Sequence, residues 1–287
     1  MTTSKAEAPA DDADNHRRAS VDSPDDALGT IEETDRESDD ARSSGVRSLD
    51  RPFIVLRVLR ENRAPMRLTE IATAAKLHLA TTQRLVNLLI KHGYVERDGV
   101  EYTLGLVSLI DGFTYLLTNN LTQIAEPILL DLNASTKLTA MLSVRHDLTQ
   151  VRVLRILSSP SPRYQATIGE QVPLTLGGAR VLAAGLSPRD VERLLEGVEK
   201  IPFASGRVLD RQEFIESLSA IRERGYALGQ GQGEDGSVSV AVPVMSREGD
   251  VIAALQVSGH IEDIPFDVDS LVKELQRASA AITRRIP

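Results

Sequence analysis

The amino-acid sequence predicts an α+β fold, in which an N-terminal winged helix-turn-helix is joined by a helix to a domain built on an antiparallel sheet. Two short helical patterns and a hairpin follow one another between Leu68 and Gly105. From about Leu121, strand patterns come first and last with helices between them, which favours one antiparallel sheet covered by helices. We therefore expect an acidic tail at 1–45, the winged helix-turn-helix at 46–105, a linker helix at 106–119 and a second domain at 120–287.

The first 45 residues differ from the rest of the chain in charge. They contain thirteen Asp and Glu side chains but only five Lys and Arg, a net charge of −8. The formal net charge of the whole chain is also −8, so the remaining residues are balanced. A segment rich in Asp, Glu, Ser and Ala buries too little apolar surface to fold, and this one lacks the apolar stretch of a signal peptide. We expect a disordered extension, which could screen a basic surface elsewhere in the chain.

The composition also excludes several kinds of site. The chain has no cysteine, which excludes disulfides, thiolate metal sites and cysteine nucleophiles. Its five histidines show no paired metal-ligand spacing, and no stretch is long and apolar enough to cross a membrane. These features suggest a soluble cytoplasmic protein, and we expect no metal and no cofactor.

Two helices open the N-terminal domain. Residues 49–60 carry apolar side chains at helical spacing, which predicts a helix that completes the core of this domain. The side chains expected in that core are Phe53, Leu56 and Leu59. The next helix begins at Leu68, where Thr69 can cap free N–H groups and Glu70 is favoured in the first turn. A tight turn follows at Ala75-Lys76-Leu77.

The helix predicted from Leu79 to His92 has two faces of opposite character. Its inner face carries mainly apolar side chains at helical spacing, namely Thr82, Leu85, Val86 and Leu89. Its outer face carries polar and basic side chains, namely Thr81, Gln83, Arg84, Asn87 and Lys91. Gly93 ends the helix, and Val95 to Leu104 predicts a hairpin about an Asp98-Gly99 turn.

A helix-turn-helix followed by such a hairpin wing is typical of DNA-binding domains. Arg, Asn, Gln and Thr side chains pair with base edges, and Lys91 at the helix end suits a phosphate. The stretch from Val46 to Arg97 holds ten Lys and Arg against four Asp and Glu, a local charge of +6. A polar stripe can be no more than a solvated helix face, but the chemistry and the charge together favour DNA binding. The DNA-binding residues that we expect are Thr81, Gln83, Arg84, Asn87, Lys91 and Arg97.

A connecting helix follows the wing. Its apolar side chains share one side, namely Leu106, Leu109, Ile110, Phe113 and Leu117. An exposed apolar stripe on a linker is more often a subunit contact than a cofactor site. It predicts a dimer, and a two-fold dimer would bind an inverted repeat in double-stranded DNA.

The C-terminal domain begins with a helix through Ile124 and Leu132. Alternating side chains predict strands at Thr139–Val144, Gln150–Ile156, Tyr164–Ile168, Ser237–Val244 and Val251–Ser258. Helices begin at Ser187-Pro188, with Pro at the first helical position, and at Asp210, where Glu213 completes a capping box. A last helix is predicted at about Val268 to Arg284.

Six groups of short motifs occur in order along the chain. They are Val46 to Arg51, Leu68 to Ala72, His92 to Asp98, Gly169 with Pro173-Leu174, Gly225-Tyr226-Ala227 with Gly236, and Ala241 to Val244 with Gly249 to Gly259. Together they resemble the IclR family of transcriptional regulators. The resemblance implies a GAF-like effector-binding domain, a dimer or tetramer, and DNA affinity set by a small metabolite. We expect a repressor of a catabolic operon that senses a small organic acid or a phenolic compound.

The chain departs from that family's pattern in both domains. Lys76 stands where the family usually has Gly, and a positive φ there would strain Lys by about 1 kcal/mol. His78-Leu79-Ala80 stands where Pro-Lys-Ser is usual, so we expect an altered operator preference. In the second domain, the segment from Leu174 to Arg180 is one residue shorter than the family's usual spacing. Ser239 stands where the family often has Cys, and Gly229 to Gly233 stands where it has an acidic cluster. These changes leave the identity of the ligand open.

The effector contacts are expected on neighbouring strands and a glycine turn. Alternation along a strand puts Gln256 and Ser258 on one face, and Ser239 can join them. Gly177-Gly178, if it opens a helix, offers free N–H groups to an anion such as a carboxylate. The apolar wall is expected from Met141 and Leu176.

The sequence leaves two points about this site open. Gln256 and Ser258 could instead face solvent, with Gly177-Gly178 a packing contact. An acidic ligand could pair with any of several arginines, namely Arg145, Arg152, Arg155, Arg163 and Arg180.

Two other classes of function are the alternatives to a transcriptional regulator. An enzyme is disfavoured, because the chain has no supported catalytic triad, phosphate loop or metal set, and Gly229 to Gly233 lacks the helix start of a dinucleotide site. The main alternative is an architectural DNA-binding protein without a ligand. A metabolite that shifts operator affinity or melting temperature would distinguish the sensor from it.

Overall fold

The structure, a computed structural model, describes residues 49–158, 167–232, 235–263 and 267–286. The expected acidic tail at 1–45 lies outside these ranges. Contacts between Cα atoms divide the chain into two compact units between Ser108 and Leu109. The α+β fold class is confirmed, with a helix-turn-helix first and an antiparallel-sheet domain after it.

The N-terminal unit is a winged helix. A helix covers residues 49–62 (α1), and the next elements are β1 Met66–Arg67, α2 Leu68–Ala75, α3 Leu79–Lys91, β2 Val95–Asp98, β3 Glu101–Leu104 and the start of α4 Leu106–Thr118. The strands form one small antiparallel sheet in the order β1-β3-β2. Asp98 pairs with Glu101, so the hairpin loop is Gly99-Val100, one residue later than predicted. β1 was not predicted, because two residues are too short to show alternation.

The core of this unit confirms the inner face of α3 and corrects that of α1. Val86 is fully buried in the core. Leu59 is buried as predicted, and Leu56 packs half-buried against the core. Phe53, also predicted to be in the core, is 70% exposed, and Val55 and Val58 are buried in its place. Apolar residues run around most of α1, so their spacing alone did not define the buried face.

The two ends of α2 are closed by Glu70 at the N-terminus and by Lys76 at the C-terminus. The helix begins at Leu68, as predicted, but the prediction that Thr69 caps it was wrong, because the N-cap residue is Arg67. Glu70 does act in the first turn, since its Oε2 accepts the Arg67 N–H at 2.7 Å. At the other end Lys76 has φ 54° and ψ 42°, and the Leu77 N–H donates to the Ala72 carbonyl at 3.0 Å. The left-handed conformation that closes α2 therefore falls on a lysine.

The C-terminal unit contains the end of α4 and all later elements. The helices are α5 Asn120–Thr136, α6 Arg180–Ala184, α7 Pro188–Leu194, α8 Arg211–Arg224 and α9 Val268–Thr283. The strands are β4 Thr139–His146, β5 Thr149–Ile156, β6 Gln171–Pro173, β7 Lys200–Pro202, β8 Val208–Asp210, β9 Ala227–Gln230, β10 Ser237–Met245 and β11 Val251–His260. Short 3-10 turns lie at Gly177–Ala179 and Ile261–Asp263.

Six of these strands form one antiparallel sheet in the order β6-β5-β4-β11-β10-β9. The predicted single antiparallel sheet is confirmed, and the first and last strand pairs of the domain meet at its centre, where β4 pairs with β11. Helices α5 and α9 cover one face through a core that includes Leu129, Leu255 and Leu275. The turn at Gly177–Ala179, α6 and α8 lie on the other side, around Leu182, Phe214 and Ala241. The sheet is thus sandwiched between two helical layers.

The local start signals in this domain are confirmed. Ser187 caps α7 with Pro188 at its first position, and Asp210 and Glu213 form the reciprocal capping box of α8. The predicted strand at Tyr164–Ile168 lies for its first three residues outside the described ranges. The strand that pairs with β5 on that side is β6, Gln171–Pro173.

Candidate functional site

The outer face of α3 presents the predicted DNA-binding side chains. Arg84, Asn87 and Lys91 are exposed along one side of the helix, whereas Thr81 and Gln83 are half-buried. The Gln83 Nε2 donates to the Asn87 Oδ1 at 2.9 Å, so these two amides are paired one helical turn apart. Arg84 and Lys91 are exposed and lie outside this amide pair.

The wing is held in shape by Arg97. Its Nε donates to the Gly99 carbonyl at 2.7 Å, and its guanidinium lies 5.7 Å from the centre of the Tyr102 ring. Both contacts fix the hairpin tip beside its own strand. Arg97 is exposed, so a charged group remains available at the edge of the wing.

The C-terminal sheet brings the predicted effector residues together on one face. Ser258 on β11 lies opposite Ser239 on β10 and, on its other side, opposite Thr139 on β4. In the next row Gln256 lies opposite Met141 on β4. We call these five side chains, four polar ones and Met141, the polar rows. They lie on the sheet face that the Gly177–Ala179 turn covers, since a Cβ at Gly177 would lie 3.7 Å from the Ser239 Oγ.

Burial decides between the two orientations left open for Gln256 and Ser258. Only 5% of Gln256 and 2% of Ser258 is exposed, so neither faces solvent. The Gln256 Nε2 donates to the Ser258 Oγ at 2.7 Å. Buried polar groups are retained where hydrogen bonds satisfy them, and this face therefore carries a built polar lining.

The glycine turn is partly a packing contact, which corrects the expectation of free N–H groups. The Gly177 N–H donates to the side-chain Oε1 of Gln232 at 2.5 Å. A Cβ at Gly178 would lie 2.1 Å from the Gln256 Oε1 and 2.8 Å from the Ala241 Cβ. The turn therefore sits directly on the polar rows, and Leu176 before it is half-buried.

The five candidate arginines have different surroundings. Arg152 is buried and forms an ion pair with Glu170. Arg145 is exposed near the β4–β5 turn. Arg155 lies opposite Met141, in the same row as Gln256. Arg163 lies outside the described residues.

Arg180 is buried at the outer edge of β9. Its Nη2 donates to the Leu228 carbonyl at 2.5 Å and its Nε to the Gly177 carbonyl at 3.3 Å. Burial lowers the pKa of the guanidinium to about 10, and the positive charges of Arg224 and Arg207 add to the effect. Arg180 thus stays charged at neutral pH and holds the glycine turn against the sheet.

Two members of this site were missed from the sequence. Thr139 could have been found, because alternation along β4 puts it on the same face as Met141. Gln232 gave no local signal, since its contact with Gly177 joins residues 55 positions apart.

A separate cleft of about 380 Å³ lies where the end of α9 meets β10. Its lining includes Val242, Met245, Gln276, Ser279 and Arg284, and none of the predicted effector residues.

Among the described residues, no group of three or more His, Cys, Asp or Glu side chains is placed to hold a metal ion. Within the same part of the chain, no helix combines the length and hydropathy needed to cross a membrane.

Comparison with known families and structures agrees with this architecture. The family model of the IclR helix-turn-helix domain matches residues 48–99. The model described as the C-terminal domain of bacterial IclR transcriptional regulators matches residues 113–284. The second match alone covers more than half of the chain.

Two relatives that match most of this chain are described as transcriptional regulators. The HTH-type transcriptional regulator XynR of Escherichia coli is 27% identical over 247 residues, which cover 84% of this chain and 97% of XynR. The regulator KdgR of the same species is 28% identical over 222 residues, 76% of this chain and 84% of KdgR. Their description as regulators fits the expectation that the chain is not an enzyme.

Solved structures show the same fold. The crystal structure of an IclR transcriptional regulator from Alicyclobacillus acidocaldarius matches with a TM-score of 0.73 and 25% identity, over 83% of this chain and 98% of that one. An IclR homologue from Microbacterium hydrocarbonoxydans, solved with 4-hydroxybenzoate, matches with a TM-score of 0.67 and 21% identity, over 83% of this chain and 98% of that one. The chain therefore belongs to the IclR family of bacterial transcriptional regulators.

Proposed function

We propose that the protein is a ligand-responsive repressor of a catabolic operon, which binds an inverted-repeat operator and senses a small organic acid or phenolic compound. The observation that carries the DNA-binding part is the face of α3, where Arg84, Asn87 and Lys91 are exposed together. Arg reads guanine in the major groove and Lys contacts phosphate, so this face supplies both kinds of contact. A DNA-binding role also implies a cytoplasmic protein.

The polar rows support the sensing part of the proposal. Ser239, Gln256, Ser258 and Thr139 offer hydroxyl and amide groups, while Met141 supplies apolar surface beside them. Ligand sites commonly combine a mainly apolar lining with a few placed polar groups. The homologue from Microbacterium hydrocarbonoxydans binds 4-hydroxybenzoate, a carboxylate and a phenol at once, within the same fold.

The apolar stripe of α4 supports a homodimer. Leu109 is 67% exposed, Phe113 58% and Leu117 56%. Several large apolar side chains exposed on one helix are costly in water and favour burial against a second copy. A dimer, or a tetramer built from dimers, would present two α3 helices to the two half-sites of an operator.

The proposal is tested with the full-length chain in two steps. Double-stranded DNA selected from a random pool should converge on an inverted repeat. A thermal-shift screen of carboxylates and phenols should then yield a compound that changes affinity for that DNA. Selective DNA binding without any responsive compound would favour the architectural alternative, and turnover of the compound would favour an enzyme.

A further inference from the structure

The first residues of α3 carry no polar side-chain atoms, although they open the helix assigned to DNA reading. His78 precedes the helix, and its side chain makes no cap hydrogen bond. Leu79 and Ala80 follow as the first two helical residues, and both are exposed. Leu79 keeps 49% of its surface in contact with solvent. The side chains of Leu79 and Ala80 cannot form hydrogen bonds to a phosphate or to a base edge.

Helix geometry places these two side chains where DNA would be closest. Side chains of a helix lean toward its N-terminus, so Leu79 and Ala80 project beyond the start of α3. In helix-turn-helix complexes the N-terminal residues of the second helix contact base edges in the major groove. The thymine C5-methyl is the apolar group that a base pair presents there.

We propose that Leu79 and Ala80 form an apolar contact for a thymine methyl group in each operator half-site, near the base pair read by Arg84. This inference rests on the proposed DNA-binding function and adds a sequence preference to it. The contact buries the leucine surface that is exposed in the free protein. It also gives the operator a requirement that the basic side chains of α3 do not supply.

The test removes the methyl group alone. DNA selected by the full-length protein is synthesised with each thymine of one half-site replaced in turn by deoxyuridine, which keeps the base pairing. Wild-type protein should lose about four-fold in affinity at the contacted thymine, the equivalent of about 0.8 kcal/mol for one buried methyl-sized group. The same replacement should have a much smaller effect on L79A, in which only alanine side chains remain at this contact.

A matched control lies on the same helix. Leu88 is 44% exposed and lies nine residues after Leu79. It is therefore roughly 14 Å further along the helix axis, away from the N-terminus of α3. The L88A protein should keep the four-fold response to deoxyuridine. Circular dichroism and the oligomeric state of L79A should match those of wild type, because the side chain is at the surface.

The outcomes separate this inference from the proposed function. Affinity that is unchanged by deoxyuridine at every thymine, or reduced equally in wild type and L79A, overturns the methyl contact but leaves DNA binding intact. A change in oligomeric state of L79A with an unaltered deoxyuridine response assigns Leu79 to a subunit contact instead and also overturns it. Failure to select any DNA overturns the proposed function itself.

Discussion

Gln256 donates its amide N–H to the Ser258 hydroxyl at 2.7 Å, directly beneath the glycine turn that covers the C-terminal sheet. Both side chains lie on one face of β11 and both are buried. A ligand that enters this site must therefore replace or join an existing hydrogen bond rather than displace bulk water. The pair is the most direct place to test effector recognition.

Removal of either member of this pair should weaken effector binding. Gln256→Ala or Ser258→Ala should cost about 1–3 kcal/mol of affinity for a compound found in the thermal-shift screen, because a polar group of the ligand loses its partner. Operator affinity without ligand should be retained, so that response requires more ligand. Calorimetry and DNA-binding titrations measure the two effects. Ser279→Ala is the control, since that buried hydroxyl instead donates to the Pro243 carbonyl. Affinity that survives both β11 substitutions would place the effector elsewhere.

A methyl group at the glycine turn should disturb the same site. Gly178→Ala places a Cβ within 2.8 Å of the Ala241 Cβ and even closer to the Gln256 amide. We expect about 1–3 kcal/mol of destabilisation from overpacking, together with weaker effector binding. The matched control is Gly112→Ala in α4, where a Cβ meets no atom within 4 Å. The melting temperatures of the two variants are compared with that of the wild type. An unchanged melting temperature for Gly178→Ala would argue against close packing at this turn.

Two basic side chains of α3 should have different effects on DNA binding. Arg84→Ala should cost roughly 1–3 kcal/mol and relax the preference at one base position in each half-site, as expected for bidentate contact with guanine. Lys91→Ala should weaken binding to all sequences alike. It should also reduce the slope of log affinity against log salt concentration by about one for each lost phosphate contact. Titrations on the selected operator and on unrelated DNA separate the two. Equal losses on every DNA for Arg84→Ala would show that Arg84 does not read bases.

The lysine that ends α2 should limit the stability of the N-terminal unit. Lys76 has φ 54°, a conformation that glycine adopts without steric cost. Lys76→Gly should therefore raise the free energy of unfolding by about 1 kcal/mol, measured by urea denaturation. Lys76→Ala is the control, because alanine keeps the Cβ responsible for the strain. Equal free energies of unfolding for the two variants would mean that the backbone at this residue is not strained.

The acidic residues at 1–45 should affect DNA binding more than stability. Their composition predicts no buried apolar area, so deletion should leave the melting temperature nearly unchanged. If their negative charge screens the basic face of α3, deletion should tighten non-specific DNA binding at low salt and less so at high salt. Affinity measured at two ionic strengths tests this, and equal values with and without the tail would dismiss screening.

The sequence by itself determined the features that depend on neighbours a few residues apart. Ser187 and the Asp210–Glu213 pair start α7 and α8 as predicted, because a cap needs only the next three residues. Alternation with a period of two likewise put Gln256 and Ser258 on one face of a strand. The same local rules predicted the outer and inner faces of α3.

Only the tertiary structure decided which partner each group has across the fold. In the tertiary structure Val55 of α1 is buried and Phe53 is exposed, and the Gly177 N–H donates to the Gln232 side chain. The tertiary structure also pairs Arg152 with Glu170, eighteen positions away. Such contacts depend on how layers pack around a shared core, where several apolar or charged residues compete for one place. Local periodicity states which residues can be buried or paired, and packing selects among them.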